Sequence, residues 1–502
     1  MKIPLRAVSF AVLFISSASL WAKSQKPNIV LIMADDIGQG DISCYWDGNS
    51  KKKFSVDTPN IDKLAADGMR FTDAHAPASL CAPTRFSMLT GNYSYRNYRS
   101  FGVWTPDSDS GIDPKFTTSA RIAKAGGYHT AFFGKWGLGS SMQSRKKPSP
   151  ELSEGALHFG FDYAFELPQG IQNTPFAFYE NQKWVPLQED STLKHLEVGQ
   201  IRYPDDKKGK TYEGLGDSHW DPSLAGPMLA NKAVSYIDRQ TSEHADEPFF
   251  IYYCSQAVHL PHSPPAELDG VKIAGVTGSN LTDMVLELDV QVGMIINALK
   301  KAGVYENTLF MFTSDNGGLS ASPTHDSSNG LSGKKGSISE GGHRVPFIAV
   351  WPGVIEPNSV SDTSIVGLDT VATIASLAEQ EVDRSKVIDS LNLVPIFKSE
   401  KPEQQHAYLM HQSSGGPTFA LREGPWKLIM GKKLKKGEKK SGKDAPLEEL
   451  DFTPLALFNL DSNLAEEESG NLLGNPEQAE RIKRMQAKYI ELRKTGATTL
   501  GK

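Results

Sequence analysis

Asn28-Ile29-Val30-Leu31-Ile32-Met33-Ala34-Asp35-Asp36 decides the fold: it is a continuous apolar run that stops at two adjacent acids. An unbroken run of this length suits a strand buried on both faces, because alternation with polar residues is expected only where one face meets water. The pattern recurs along the chain. Thr130-Ala131-Phe132-Phe133 leads into Gly134-Lys135, Pro248-Phe249-Phe250-Ile251-Tyr252-Tyr253 leads to His259 and His262, and Thr308-Leu309-Phe310-Met311-Phe312-Thr313 leads into Ser314-Asp315-Asn316. Helical periods lie between them, clearest over Asp283 to Lys301, where Met284, Leu288, Val292, Ile295 and Leu299 share a face and Gly303 follows the last turn. Alternating strands and helices predict an α/β fold with a mostly parallel sheet flanked by helices. Ligands bind such sheets beyond the carboxyl ends of the strands, so polar clusters hundreds of residues apart are expected to converge there.

The rest of the chain sets bounds. With 502 residues, 39% hydrophobic and 22% charged, the composition is that of a globular protein, of about two to four domains with large α/β enzymes at the low end, not of a disordered or fibrous chain. A net charge of −6 gives no general pull toward nucleic acid. Lys2 and Arg6 precede the mostly apolar Ala7 to Leu20, and Leu20-Trp21-Ala22 precedes Lys23; residues 1–22 read as a cleaved export signal, with a periplasmic or secreted mature protein and no membrane span. Three cysteines, Cys44, Cys81 and Cys254, are too few for a disulfide-built scaffold, and whether Cys44 and Cys254 pair is left open. Character changes near residue 400. Residues 23–400 read as the catalytic α/β domain, and residues 401–502 as a small second domain with a hairpin at Trp426-Lys427-Leu428-Ile429 and Leu457-Phe458-Asn459-Leu460 and a charged helix over Pro476 to Arg493. The lysine-dense stretch Lys432 to Lys443 reads as a solvated loop, with an anionic polymer as the alternative partner.

Two carboxylates held together at the end of a buried strand repel unless a cation or protons compensate them, so Asp35 and Asp36 point to a metal. Asp315 and Asn316, at a corresponding strand end, add a carboxylate and an amide oxygen, and an all-oxygen set favours Ca²⁺ or Mg²⁺ over zinc. Cys81-Ala82-Pro83-Thr84-Arg85 opens a helix that Gly91 would stop. Cys81 therefore sits at a helix N-terminus, whose free N–H groups attract anions, and Arg85 adds a permanent guanidinium one turn on.

Cys81-Ala82-Pro83-Thr84-Arg85 resembles the Cys-x-Pro-Ser/Thr-Arg motif of the formylglycine-dependent sulfatases. The resemblance extends in order through Ala34-Asp35-Asp36-Ile37-Gly38, Thr58-Pro59-Asn60-Ile61-Asp62, Gly134-Lys135-Trp136, Ala257-Val258-His259, Ser314-Asp315-Asn316-Gly317, Lys335 before Glu340-Gly341-Gly342, and Arg422-Glu423-Gly424-Pro425-Trp426-Lys427. It implies an alkaline-phosphatase-like fold with a small C-terminal antiparallel sheet. It also implies one Ca²⁺ held by Asp35, Asp36, Asp315, Asn316 and the formylglycine formed from Cys81 by a maturation enzyme. By the same resemblance the aldehyde hydrate attacks sulfur, Arg85, Lys135 and Lys335 with the metal hold the sulfate oxygens, and His259 protonates the leaving oxygen. The sulfated hemiacetal then eliminates sulfate. One departure is local: family members carry Gly-Lys-Trp-His where this chain has Gly134-Lys135-Trp136-Gly137, so the histidine that assists elimination is missing. His262 and Lys334 are the neighbours with which His259 and Lys335 could be confused.

The substrate expected is a sulfated saccharide, with galactose- or N-acetylgalactosamine-type units preferred. Tyr93, Arg96, Tyr98, Arg99, His325 and Asp326 are candidate sugar ligands, each with ordinary packing as the alternative. Two other functions stay open at this level: a phosphomonoester or phosphonate hydrolase using the same nucleophile, and a non-catalytic relic that binds sulfated glycans.

Overall fold

The computed structural model describes residues 26–48, 50, 52, 56–97, 102–142, 149–197, 199–201, 212–319, 325–400, 406–413, 418–431, 451–494 and 498. The export segment 1–22, Tyr98, Arg99 and the Lys432 to Lys443 stretch lie outside the described residues. A ten-stranded sheet forms the centre. In space its order is Ser359–Ser361, Met69–Phe71, Phe347–Val350, Thr308–Ser314, Asn28–Ala34, Phe249–Cys254, His129–Lys135, Tyr163–Leu167, Phe178–Glu180 and Lys183–Val185. The five strands from Thr308–Ser314 to Tyr163–Leu167 are parallel to one another. Antiparallel neighbours extend the sheet on both sides, through Phe347–Val350 and Phe178–Glu180.

The apolar runs explain the centre. Every residue of Asn28–Ala34, Phe249–Cys254 and Thr308–Ser314 is buried. Odd and even positions face two different cores: Val30, Ile32, Phe310 and Phe312 pack with the helices Ala225–Glu243 and Asn280–Lys301, while Ile29, Leu31, Leu309 and Met311 pack with Cys81–Thr90, Ser119–Ala125 and Thr370–Leu377. Each large aliphatic side chain buried in this way contributes about 1.5–3 kcal/mol. The long helix begins at Asn280, three residues before the periodic stretch. There Ser279 caps it by accepting the Thr282 N–H at 3.3 Å, and Lys300 and Lys301 occupy its last turn.

The registers align the strand ends. Ala34 lies beside Ser314, Met33 beside Cys254, and Cys254 beside Gly134. Asp35, Asp315 and Lys135 therefore emerge at one level of the sheet. Helix Cys81–Thr90 runs along the same rim, with all ten residues buried, and ends at Gly91. Gly91 has φ of +70°, and a Cβ there would meet Val387 Cγ1 at 2.6 Å, so glycine is required on two counts.

A smaller antiparallel sheet is formed by Leu409–Gln412, Thr418–Glu423, Trp426–Gly431 and Pro454–Asn459. Helix Ala479–Lys494 covers it with Met485, Tyr489 and Leu492, and Tyr93, Val366 and Leu368 of the preceding chain join that core. The charged helix thus starts after a short 3₁₀ turn over Pro476–Gln478. Cys44, Cys81 and Cys254 are all unpaired. Among the described residues no helix is long and apolar enough to cross a membrane.

Candidate active site

Side chains from six segments meet beyond the strand ends. The Asp35 N–H donates to the Ala257 carbonyl at 2.9 Å, and the Val258 N–H donates back to the Asp35 carbonyl at 2.6 Å. These two bonds bring the segment carrying His259 against the end of the first strand. Asp36 adopts φ of +66°, a left-handed conformation that Asp tolerates, and its N–H donates to Asp315 Oδ1 at 3.1 Å. Lys335 is anchored by its own N–H on the Gly318 carbonyl, 3.0 Å away and three residues past Asp315.

Cations and carboxylates alternate in the cluster. Arg85 is 2% exposed and donates to Asp315 Oδ2 at 2.9 Å, Asp35 Oδ2 at 3.3 Å and the Lys135 carbonyl at 2.7 Å. Lys135 Nζ reaches Asp35 Oδ2 at 2.7 Å, and Lys335 Nζ lies 2.6 and 2.8 Å from the two oxygens of Asp36. Asn316 Nδ2 donates to Asp36 Oδ1 at 2.8 Å. Cys81 Sγ is 3.6 Å from Asp35 Oδ1, and Asp35, Asp36, Cys81 and His259 each offer an atom within 4.8 Å of the others.

The charge balance is uneven. Burial alone would raise the Asp35 carboxyl, but Lys135, His259, Arg85 and Lys335 together hold it well below the usual range. Asp315 moves the other way, up to about 7, through burial and the nearby Asp35 charge. Burial and the Asp315 carboxylate push the Cys81 thiol up to about 12, so it is protonated at neutral pH. His259 is pushed down to about 4 by burial and by Lys335 and Lys135. Its Nδ1–H donates to the Leu260 carbonyl at 2.6 Å, leaving Nε2, 3.9 Å from Asp36 Oδ2, as the nitrogen that gains or loses a proton.

Nine of the residues named from sequence thus converge: Asp35, Asp36, Cys81, Arg85, Lys135, His259, Asp315, Asn316 and Lys335. The lysine with which Lys335 could be confused differs in position. Lys334 is exposed, whereas Lys335 grips Asp36. Gly137 has φ of +71°, and a Cβ there would lie 3.3 Å from Arg85 Cδ, so the missing histidine's position borders the cluster. Arg96 and His325 pair with other acids. Arg96 makes a two-pronged contact with buried Asp389, at 2.6 and 2.7 Å, and His325 Nε2 lies 2.6 Å from Asp41 Oδ1. Asp41 and Asp389 are acids that no local pattern singles out, because their importance comes from partners about 290 residues away.

A model of the sulfatase family matches residues 27–380. The chain belongs to that family. This sulfatase is 31% identical over 441 residues to the N-acetylgalactosamine-6-O-sulfatase of Bacteroides thetaiotaomicron, a match covering 81% of this chain and 83% of that one. It is 33% identical over 432 residues to arylsulfatase A of Homo sapiens, covering 83% and 77%. A solved Bacteroides thetaiotaomicron structure, described in connection with the metabolism of multiple glycosaminoglycans, shares its fold with a TM-score of 0.78 and 27% identity, covering 94% of this chain and 100% of that one. The formylglycine-dependent, alkaline-phosphatase-like class and its sulfuric ester hydrolase activity follow for this enzyme. The parallel sheet with its smaller antiparallel companion is the architecture that class implies.

Proposed function

We propose that this sulfatase releases inorganic sulfate from a sulfated saccharide, with residue 81 as formylglycine and Ca²⁺ as its metal. The observation that carries the reading is the position of Cys81, against Asp35 and inside a ring of Arg85, Lys135 and Lys335. As a thiol, held protonated, Cys81 is a poor nucleophile. Its Sγ stands where an oxygen of the aldehyde hydrate would be.

The donors fit a hard cation. Asp35, Asp36 and Asp315 supply carboxylates, and Asn316 Oδ1 is buried with no hydrogen-bond partner, an orphaned oxygen of the kind a metal ligand leaves behind. Asp35, Asp36, Asp315, Asn316 and the modified residue 81 would hold the ion, which when bound supplies Lewis acidity toward the sulfate and the nucleophile. The chain's own cations do the rest. Arg85, Lys135 and Lys335 bind the sulfate oxygens and follow charge as it builds on them. His259, with Nδ1–H fixed on a backbone carbonyl, presents Nε2 as the nitrogen that takes up a proton when the negative charge of the bound sulfate ester offsets Lys135 and Lys335, and passes it to the departing sugar oxygen, which would otherwise leave as an alkoxide. Arg96 and His325 stand outside this set, each held by a buried carboxylate.

The saccharide assignment is supported by the N-acetylgalactosamine-6-O-sulfatase relative, and it makes a hexosamine 6-sulfate the first compound to test. The experiment is sulfate release from sulfated mono- and oligosaccharides, with phosphate esters alongside. The protein is co-expressed with a formylglycine-generating enzyme, and Cys81→Ala is the control. Release from a saccharide only by converted protein is expected. Turnover by Cys81→Ala would remove the nucleophile from the mechanism, and phosphate without sulfate would replace the reaction.

A further inference from the structure

A second buried group of chemistry-bearing side chains joins the small sheet to two segments of the preceding chain. His75 belongs to strand Ala74–His75, His343 ends the helical turn Glu340–His343, and His411 lies in strand Leu409–Gln412. All three are at most 2% exposed. One ring nitrogen of each lies within 4.8 Å of the others, and His75 Nδ1 faces His343 Nδ1 at 3.0 Å. Each opposite nitrogen faces both an acceptor and a cation: His75 Nε2 lies 2.8 Å from Asp73 Oδ1 and 3.1 Å from Arg422 Nη1, and His343 Nε2 lies 3.1 Å from the Ile338 carbonyl and 3.0 Å from Lys427 Nζ. His411 stacks on His343 with centroids 3.8 Å apart, and neither of its ring nitrogens has a hydrogen-bond partner.

With protons drawn to the outer nitrogens, the two Nδ1 lone pairs face each other across the 3.0 Å gap. That is repulsive unless a cation or a proton lies between them. Two unpartnered nitrogens on buried His411 add an uncompensated desolvation cost. A carboxylate on one imidazole and a carbonyl on another are the outer contacts that orient metal-ligating histidines. We propose that His75, His343 and His411 bind one divalent transition ion of the zinc class, at a site separate from the oxygen cluster.

Three imidazoles suit Zn²⁺ and disfavour Ca²⁺. Nitrogens 3.0 to 4.8 Å apart bracket the separation of about 3.3 Å that a tetrahedral site with Zn–N bonds of about 2.0–2.1 Å requires, and the His411 ring turns out of its stack to complete it. Nearby cations already have counter-charges. Lys427 Nζ, 3.0 Å from His343 Nε2, lies 2.8 Å from both Glu340 and Glu466, while Arg344 and Arg422 lie 2.8 and 2.6 Å from Asp73. Lys427 also defines the competing arrangement. If it donates to His343 Nε2, the proton moves to His343 Nδ1 and a hydrogen-bonded chain runs through His75 to Asp73 without metal.

The test uses the full chain, stripped with EDTA and returned to Ca²⁺, then titrated with Co²⁺ and, separately, with Zn²⁺. The expected result is one bound equivalent of either ion, a visible absorption band of four-coordinate Co²⁺, and a Tm raised by Zn²⁺. In His411→Gln and His75→Gln, affinity falls by more than about tenfold. Wild type with no Co²⁺ band and no retained zinc overturns the proposal and leaves the Lys427-to-Asp73 chain. Zinc uptake unchanged in His411→Gln also overturns it, assigning the ion to surface groups such as His129, His244 and Glu247. The wild-type Co²⁺ titration decides even if a variant fails to fold.

Discussion

Replacing Arg96 with alanine separates a structural arginine from one that touches substrate. Asp389 is fully buried and receives two charge-assisted hydrogen bonds from Arg96, at 2.6 and 2.7 Å. Removing one partner of a buried pair leaves the other charge uncompensated, at about 3–5 kcal/mol. The Tyr93 N–H stays on Asp389 at 3.0 Å, so the loss should fall near the lower end, about 3 kcal/mol or roughly two orders of magnitude in the folding constant. Urea unfolding followed by tryptophan fluorescence measures it, with kcat/KM for the saccharide sulfate determined on the folded protein. Arg96→Ala should lower the unfolding midpoint and leave kcat/KM within a few-fold of wild type. The double variant Arg96→Ala/Asp389→Asn should recover part of the loss, because no buried charge then lacks a partner. A stability change under about 1 kcal/mol, or an unchanged midpoint with a large fall in kcat/KM, would refute the reasoning and return Arg96 to the substrate.

Lys335→Ala should lower kcat by about 10²–10³-fold, the usual effect of deleting one stabiliser of developing oxygen charge, while tightening Ca²⁺ binding because Asp36 loses a competing cation; weaker Ca²⁺ binding by calorimetry would contradict this. His259→Gln should slow hydrolysis of a sugar sulfate by about 10²–10⁴-fold but barely affect an activated aryl sulfate, whose leaving group needs no proton; equal losses on both would exclude the leaving-group role. Burial pushes the Glu166 carboxyl up to about 8. Its folded pKa thus exceeds its unfolded value, so its contribution to stability is complete below about pH 4.5 and is lost as pH rises through about 8. Glu166→Gln should therefore flatten the fall in urea midpoint between pH 5 and pH 8.5, and parallel profiles would show that the carboxyl stays ionised.

What was legible in the sequence follows from what is local. Residues Asn28 to Ala34 form a strand because their own apolarity demands two buried faces, and residues Cys81 to Thr90 form a helix because Pro83 and Gly91 punctuate it. Convergence of Asp35, Asp315 and Lys135 was legible too, since parallel strands deliver their carboxyl ends to one rim. The antiparallel flanks, such as Met69–Phe71 and Lys183–Val185, are only three residues long and carry too little pattern to be read. The partners of Arg96 and His325 could not be read, because their acids, Asp389 and Asp41, are hundreds of residues away. The His75, His343 and His411 group was invisible for the same reason: the three histidines lie on separate segments far apart in the chain, and only tertiary packing brings them together.

The central strand has a consequence for synthesis. Asn28–Ala34 emerges early, yet both its hydrogen-bonding edges are filled by Phe249–Cys254 and Thr308–Ser314. At about 5–20 residues per second, roughly 14 to 56 s pass between translation of Ala34 and of Ser314. Throughout that interval an uncharged, strongly β-forming segment has two open edges, the signature of a template for intermolecular pairing. Yield of this enzyme should therefore depend on how well the nascent chain is shielded until both neighbouring strands are made.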